Sequence, residues 1–216
     1  MKRMKRAFVL AALSMALTAA PALAKTGKFF LVAKGGKGPT AWRLYRGSRI
    51  RHASDLRWLK SKGVTRVVAL ENWNHKSLMR AAKRLHMEYL PRFMSTGRPH
   101  ELGRRRFGEN VTDDLVVPGK NTYVYCTYGV HRTGGVVGRF RAEHGWGCDQ
   151  ILAEANHYGF HKNKYRKYHF LIDWIMRRCR QNGKAAQTNG ASRSSRTGTT
   201  GSTNHAPAAP ATPSGK

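Results

Sequence analysis

Acidic side chains are scarce in this chain: 11 Asp and Glu stand against 40 Lys and Arg, for a formal net charge of +29. A field of that sign attracts polyanions and speeds their encounter. Inositol polyphosphates, nucleic acid, polyphosphate and anionic lipid or lipopolysaccharide surfaces are the candidates. A basic coat kept for solubility is the plainer alternative. Only Arg104-Arg105-Arg106 makes a tight cationic run. Aromatic residues are not interleaved with it as a nucleic-acid platform requires, so specific nucleic-acid binding is disfavoured.

Other absences narrow the field further. Long apolar runs are missing apart from Ala7 to Ala20, which is too short and Ala-rich for a spanning helix. Lys2, Arg3, Lys5 and Arg6 precede that run and Ala22-Leu23-Ala24 follows it. Charged start, apolar middle and small-residue end read as a cleaved signal peptide over residues 1–24, and place the mature protein in the periplasm or outside the cell. Losing those four cations leaves a net charge of +25. The glycines of Lys34-Gly35-Gly36-Lys37-Gly38 are too few and badly spaced for a nucleotide-binding loop, and no Lys-Ser/Thr pair follows them. His157 and His161 straddle Gly159 with no third ligand in sequence reach, so no metal or other cofactor is expected. No internal repeat is visible.

Cysteine is rare too, at three residues. In an oxidising compartment Cys148 and Cys179 could pair. Alternatively Cys179 completes the apolar stripe of Tyr168, Leu171, Ile172, Ile175 and Met176 as a buried thiol. The last stretch, residues 181–216, is Gly, Ser, Thr, Ala, Asn and Pro with almost no apolar side chain. It buries too little surface to offset its ordering entropy and reads as disordered. Residues 25–180 remain for a single domain.

Within that domain, short apolar runs alternate with helical spacings. Phe29 to Ala33 reads as an edge strand, and Val64 to Leu70 as a β-branched central strand. Between them Ser54 is placed to cap a helix through Leu56, Trp58 and Leu59 that Gly63 ends. Residues 75–86 repeat apolar positions at helical spacing, and Met87 to Leu90 is a further short strand. Helices are expected at 132–143, 149–158 and 163–180. The alternation gives an α/β fold: a central, mostly parallel sheet flanked by helices on both faces.

What is present in abundance is chemistry at one loop. Thr122 to Tyr125 is a short apolar strand, and Cys126-Thr127-Tyr128-Gly129-Val130-His131-Arg132-Thr133-Gly134 follows it, leading into a helix. A strand, a tight loop and a helix N-terminus make a nest of backbone N–H groups that holds an anion. The same dipoles favour a thiolate over a thiol. Arg132 offers a planar fork matched to two phosphate oxygens. Gly129 and Gly134 read as residues of special backbone geometry, and His131 as exposed and loop-lining. Thr133 is placed to cap the helix.

This loop resembles the signature of the cysteine-dependent protein tyrosine and dual-specificity phosphatases, Cys-x5-Arg-Ser/Thr. Leu44 to Ser48, Gly63 to Leu70, Gly145 to Gly147, Ile151 to Ala155 and Tyr158 to Phe160 are similar to segments of small bacterial members, in the same order. The resemblance implies a dual-specificity-phosphatase-like fold and a cysteinyl-phosphate intermediate, with Cys126, Arg132 and Thr133 as the catalytic residues. Thr127, Tyr128, Gly129, Val130 and His131 would line the phosphate cradle, and Thr133 would donate a hydrogen bond to the thiolate. The substrate would be a phosphate ester, of polyanionic kind given the charge.

Two departures are plain. Tyr125 stands where the family usually has His before the nucleophile. The family's general acid is an Asp on a loop a few dozen residues upstream, and here Leu90 to His100 contains no carboxylate. Glu101 is the weak substitute, with His100 beside it; Glu88, Asp113 and Asp114 lie further off. Arg92, Arg98 and Arg104–Arg106 form either a second phosphate subsite or a solvated basic face. The loop also resembles that of RNA 5′-triphosphatases, which share Cys-Thr-x-Gly-x-x-Arg-Thr-Gly, so phosphoanhydride hydrolysis is the alternative. A non-catalytic phosphate-binding module is the third reading, opposed by the intact Cys126, Arg132 and Thr133.

Overall fold

The computed structural model describes residues 28–71, 75–94, 111–161 and 169–193, the last twelve of these as backbone only. Five strands form one sheet: β1 (Phe29–Gly35), β2 (Trp42–Ser48), β3 (Arg66–Ala69), β4 (Glu88–Pro91) and β5 (Asn121–Cys126). Their spatial order is β1-β2-β5-β3-β4. Strands β2, β5, β3 and β4 are parallel, and β1 adds an antiparallel edge to β2. The mostly parallel α/β architecture expected from the sequence is therefore present.

Period-2 alternation along β5 divides the core. Tyr123 and Tyr125 point to one face, with Leu56 and Leu59 of α1 (Ala53–Ser61) and Leu78, Ala81 and Ala82 of α2 (Lys76–Arg84). Val124 and Cys126 point to the other, with α3 (His131–Glu143), α4 (Cys148–His157) and α5 (His169–Arg193). Both faces are buried, as parallel sheets require. Helix α3 crosses the second face so closely that it needs glycine. A Cβ on Gly134 would lie 2.8 Å from a ring carbon of Phe160, and one on Gly138 would lie 2.7 Å from Ile175 Cδ1. Gly134 thus serves packing between helices and carries no positive φ, contrary to the expectation of a special backbone angle.

Three further expectations need correction. Helix α1 starts one residue before Ser54. The carboxylate of Asp55 accepts the amides of Arg51 and His52, at 2.7 and 3.0 Å, and so does the capping. Helix α5 continues to Arg193, beyond the expected end of order at residue 180; Lys184-Ala185-Ala186-Gln187 are strong helix formers that extend the apolar helix before them. Of the two alternatives for the cysteines, the disulfide is the one realised: Cys148 and Cys179 are bonded, with Cα atoms 5.7 Å apart. Burial of Cys179 and pairing turn out to be compatible. The expected signal peptide and residues 194–216 lie outside the described residues, and among the described ones no helix is long and apolar enough to cross a membrane.

The bridge joins the start of α4 to the middle of α5 across 31 positions, which in the chain-entropy model contributes about 3 to 4 kcal/mol. Replacing Cys148 and Cys179 by Ser should lower the unfolding free energy by about that amount, read from denaturant midpoints at unchanged slope. Thiol titration of the unfolded, unreduced protein should count only Cys126.

Candidate active site

Strand β5 ends at Cys126 on the sheet face covered by α3, and Val130 stands at the N-cap of that helix. The turn between them is closed by the amide of Gly129, which donates to the carbonyl of Cys126 at 3.2 Å. Gly129 has φ +66°, and a Cβ there would lie 2.4 Å from the carbonyl oxygen of Gly47. No other residue fits both the angle and the space. The loop is thereby pressed against the end of β2, where Ser48 is the register partner of Cys126. Anions bind at such strand C-termini because the first amides of the following helix have no intrahelical acceptor.

Cys126 is buried, at 3% exposure, and is the free cysteine among the described residues. Arg132 folds back over the loop. Its Nη1 donates to the carbonyl of Leu70 at 2.9 Å and its Nη2 to the hydroxyl of Thr127 at 3.3 Å. A guanidinium has five N–H donors, so this anchoring uses a minority of them and leaves the rest for an anion. Cys126 and Arg132, the residues the resemblance singles out, flank one loop, six positions apart.

The other loop residues divide sharply. Tyr128 is exposed at the crown, whereas Val130 is buried in the core. His131 is also buried, its ring edge-on to Phe160 at 5.6 Å between centroids. This corrects the exposed, loop-lining reading: as the first residue of α3 it faces the neighbouring helices, not solvent. Thr133 is fully buried and makes no side-chain cap bond to the helix. Its hydroxyl has no hydrogen-bond partner among the described residues, including the Sγ of Cys126.

Sequence reasoning missed the residues that hold the loop. Glu71 follows β3 and is only 2% exposed. Its carboxylate lies 2.6 and 2.8 Å from Nε of Arg49 and accepts the Thr127 hydroxyl at 2.9 Å. Arg49 Nη2 in turn donates to that hydroxyl at 2.9 Å. Thr127 therefore gives one hydrogen bond to Glu71 and receives from Arg49 and Arg132. The signal was an acid placed directly after a buried parallel strand, at the edge where such sheets bind ligands.

Arg46 of β2 was missed as well. It is 1% exposed, donates to the carbonyl of Gly129 at 3.0 Å, and lies 4.1 Å from the ring centre of Tyr158. Burial lowers its pKa below the usual arginine value, opposed chiefly by the Glu154 carboxylate and then by Tyr158 and Cys126. Tyr125, in the place of the family's His, faces away from the loop. Its hydroxyl lies 2.6 Å from that of Tyr89, which lies 2.8 Å from Nδ1 of His75. The other His75 nitrogen is 2.9 Å from the carbonyl of Glu71. Burial raises both phenols far above the usual tyrosine value, so both hydroxyls keep their protons at working pH.

Asp114 and Glu88 do not reach the loop. Asp114 pairs with Arg66 and Arg92, and Glu88 with Arg66 and Lys120. Arg66 opens β3, at the sheet end opposite Cys126. Arg92 is thus engaged by a carboxylate, which weighs against its reading as a phosphate subsite. Glu101, His100, Arg98 and Arg104–Arg106 lie outside the described residues. Among the described residues no group of three His, Cys, Asp or Glu side chains is arranged to hold a metal ion.

No family model matches the chain, and no curated protein does either. Among solved structures, the core catalytic domain of the PP-IP phosphatase SIW14 from S. cerevisiae is 20% identical over 64% of this chain and 87% of its own, with a TM-score of 0.46. TpbA from P. aeruginosa is 18% identical over 66% and 85%, with a TM-score of 0.44. PTPMT1 is 15% identical over 65% and 94%, with a TM-score of 0.41. These structural neighbours are cysteine-based phosphatases of the protein tyrosine/dual-specificity superfamily. At such identities the likeness concerns chain folding alone. The chemistry rests on the loop's own residues.

If Glu71 orients Thr127 and through it Arg132, Glu71→Gln should weaken vanadate binding by about tenfold or more, through lost preorganisation. Thr127→Val should do the same. The double variant should be little worse than either single one, because residues of one network are not additive. Binding titrations on all three, with circular dichroism to check folding, decide it; additive losses would refute the shared network.

Proposed function

We propose that this protein is a cysteine-dependent phosphatase acting on phosphate monoesters, of protein tyrosine or dual-specificity type, with a polyanionic substrate. The observation that carries the reading is the loop itself: a free Cys126 at the end of β5, the start of α3 directly after it, and Arg132 anchored on Leu70 and Thr127. Cys126 as thiolate attacks phosphorus, an S–P bond forms, and the bond to the leaving oxygen breaks with its electron pair going to that oxygen. Loop amides and Arg132 stabilise the charge on the equatorial oxygens. Water then attacks the phosphocysteine, releasing inorganic phosphate and restoring the thiol. Thr133, buried behind the loop, is assigned to this second step by the resemblance alone.

Export after signal-peptide cleavage belongs to the same proposal. The composition of residues 1–24 supports it, as does a disulfide of the kind that persists outside the reducing cytosol. Cys126→Ser should abolish turnover while phosphate or vanadate still binds. Arg132→Lys should be crippling as well, because an ammonium cannot reproduce the two-oxygen fork. Activity above a few per cent of wild type in Cys126→Ser would exclude the covalent route.

Phosphoanhydride hydrolysis is the second reading, favoured by one observation. Glu71, the carboxylate that reaches the loop among the described residues, is taken up by hydrogen bonds from Arg49 and Thr127. General acid help is typically worth about 10²- to 10⁴-fold and matters most for alkoxide leaving groups. A phosphate or phenolate departs without it. Aryl phosphates and anhydrides should therefore be cleaved far faster than phosphoserine peptides. A leaving-group series on the purified protein checks this. A flat series, together with a loss of about 100-fold on Glu101→Gln, would restore a conventional acid.

A further inference from the structure

The charge excess is not spread evenly over the fold. Around α3, α4 and α5 cations meet acids: Arg139 pairs with Glu143 at 2.7 Å, the buried Arg141 with Glu154 at 2.9 Å, and Arg178 approaches Glu143 at 4.0 Å. Asp149 and Asp173 lie on the same side of the sheet. Helices α1 and α2, side by side on the opposite side, carry no such balance. Arg57, Lys60, Arg80, Lys83 and Arg84 are all exposed there. The one acid of the two helices, Asp55, is turned inward onto the amides of Arg51 and His52. Among the described residues no carboxylate pairs with Arg57, Arg80, Lys83 or Arg84.

Spacing makes this a surface rather than a scatter. On α2, Arg80, Lys83 and Arg84 are three and four residues apart and share one helical side, opposite the buried Leu78, Ala81 and Ala82. On α1, Arg57 and Lys60 are again three residues apart and exposed, Arg57 turned away from the buried Leu56 and Leu59. Lys60 Nζ donates to the carbonyl of Leu85, which ties the two helices' C-terminal ends together. Met79 is 44% exposed at the edge of the cationic stripe. Unpaired like charges held side by side repel, and the arrangement gains stability only against an anionic counterpart.

We infer that the α1–α2 face is a docking surface for an anionic lipid bilayer. Two helices laid on a sheet present a broad cationic plane, and a lipid surface is a broad anionic one. Lys and Arg near such a surface contribute roughly additively, while Met79 supplies an apolar side chain able to enter the headgroup region. Nucleic acid is the poorer fit. No aromatic ring is exposed on either helix for base stacking: Trp58 is half-buried, with Lys62 Nζ 5.8 Å from its ring centre.

The test is vesicle binding, read without reference to turnover, so it stands apart from the phosphatase proposal. Protein in the form that an expressing cell accumulates is sedimented with phosphatidylcholine vesicles lacking or containing about 30% phosphatidylglycerol. Selective binding to the anionic vesicles is expected, weakening steeply with salt. Arg57→Glu/Arg80→Glu/Lys83→Glu should reduce it by about tenfold or more. Lys34→Glu/Arg177→Glu/Arg180→Glu has the same net charge and should change it less than about threefold. Thermal melts confirm that both variants fold; if the first does not, the milder Arg80→Gln/Lys83→Gln replaces it, with an intermediate loss expected. Equal losses in the two sets would reduce the effect to net charge and overturn the assignment. So would absent vesicle binding, or binding confined to a DNA oligonucleotide competitor.

Discussion

The hydroxyl of Thr127 is the point at which the ends of three strands are tied together. It belongs to the residue after β5, gives its proton to Glu71 beyond β3, and receives from Arg49 beyond β2. Arg132 reaches it from the first turn of α3. A loop of small and polar residues has little apolar surface with which to hold a shape. Here shape comes from hydrogen bonds to charged groups, which are shorter and stronger than neutral ones. Because Glu71 is almost fully buried, its charge is tolerated only while both partners remain in place.

A second buried guanidinium completes the support from below. Arg46 holds the Gly129 carbonyl and rests on Tyr158, so the loop is gripped at Thr127 on one side and at Gly129 on the other. Between these grips the backbone of Gly129 touches that of Gly47. Charge, stacking and close backbone approach thus act on three successive parts of one short turn. The cationic character of the chain has an inward use here, distinct from the exposed stripe on α1 and α2.

Much of this was legible in the sequence, for identifiable reasons. The order of strands and helices followed from alternation and helical spacing, which report burial directly. The loop followed from a dense local motif, where nucleophile, guanidinium and glycines are separated by fixed short steps. Glu71, Arg49 and Arg46 were not legible because each acts across the sheet on residues 56 to 83 positions away. His131 was misread because a histidine in a polar motif looks exposed, while the helix it opens turns it toward Phe160. The disulfide lay in between: composition allowed it, and only the approach of α4 to α5 decided it.

That disulfide has a bearing on how Cys126 fares under oxidants. Many low-pKa cysteines survive peroxide because a neighbouring thiol captures the sulfenic acid as a disulfide, which reductants later reopen. With Cys148 and Cys179 already joined to each other, this chain keeps no spare thiol for that rescue. A sulfenic acid at Cys126 must be trapped by a thiol from outside or proceed to the sulfinic acid, which is irreversible for most proteins. The bridge that steadies the helices therefore leaves the loop's sulfur without an internal safeguard, dependent on thiols from outside the chain.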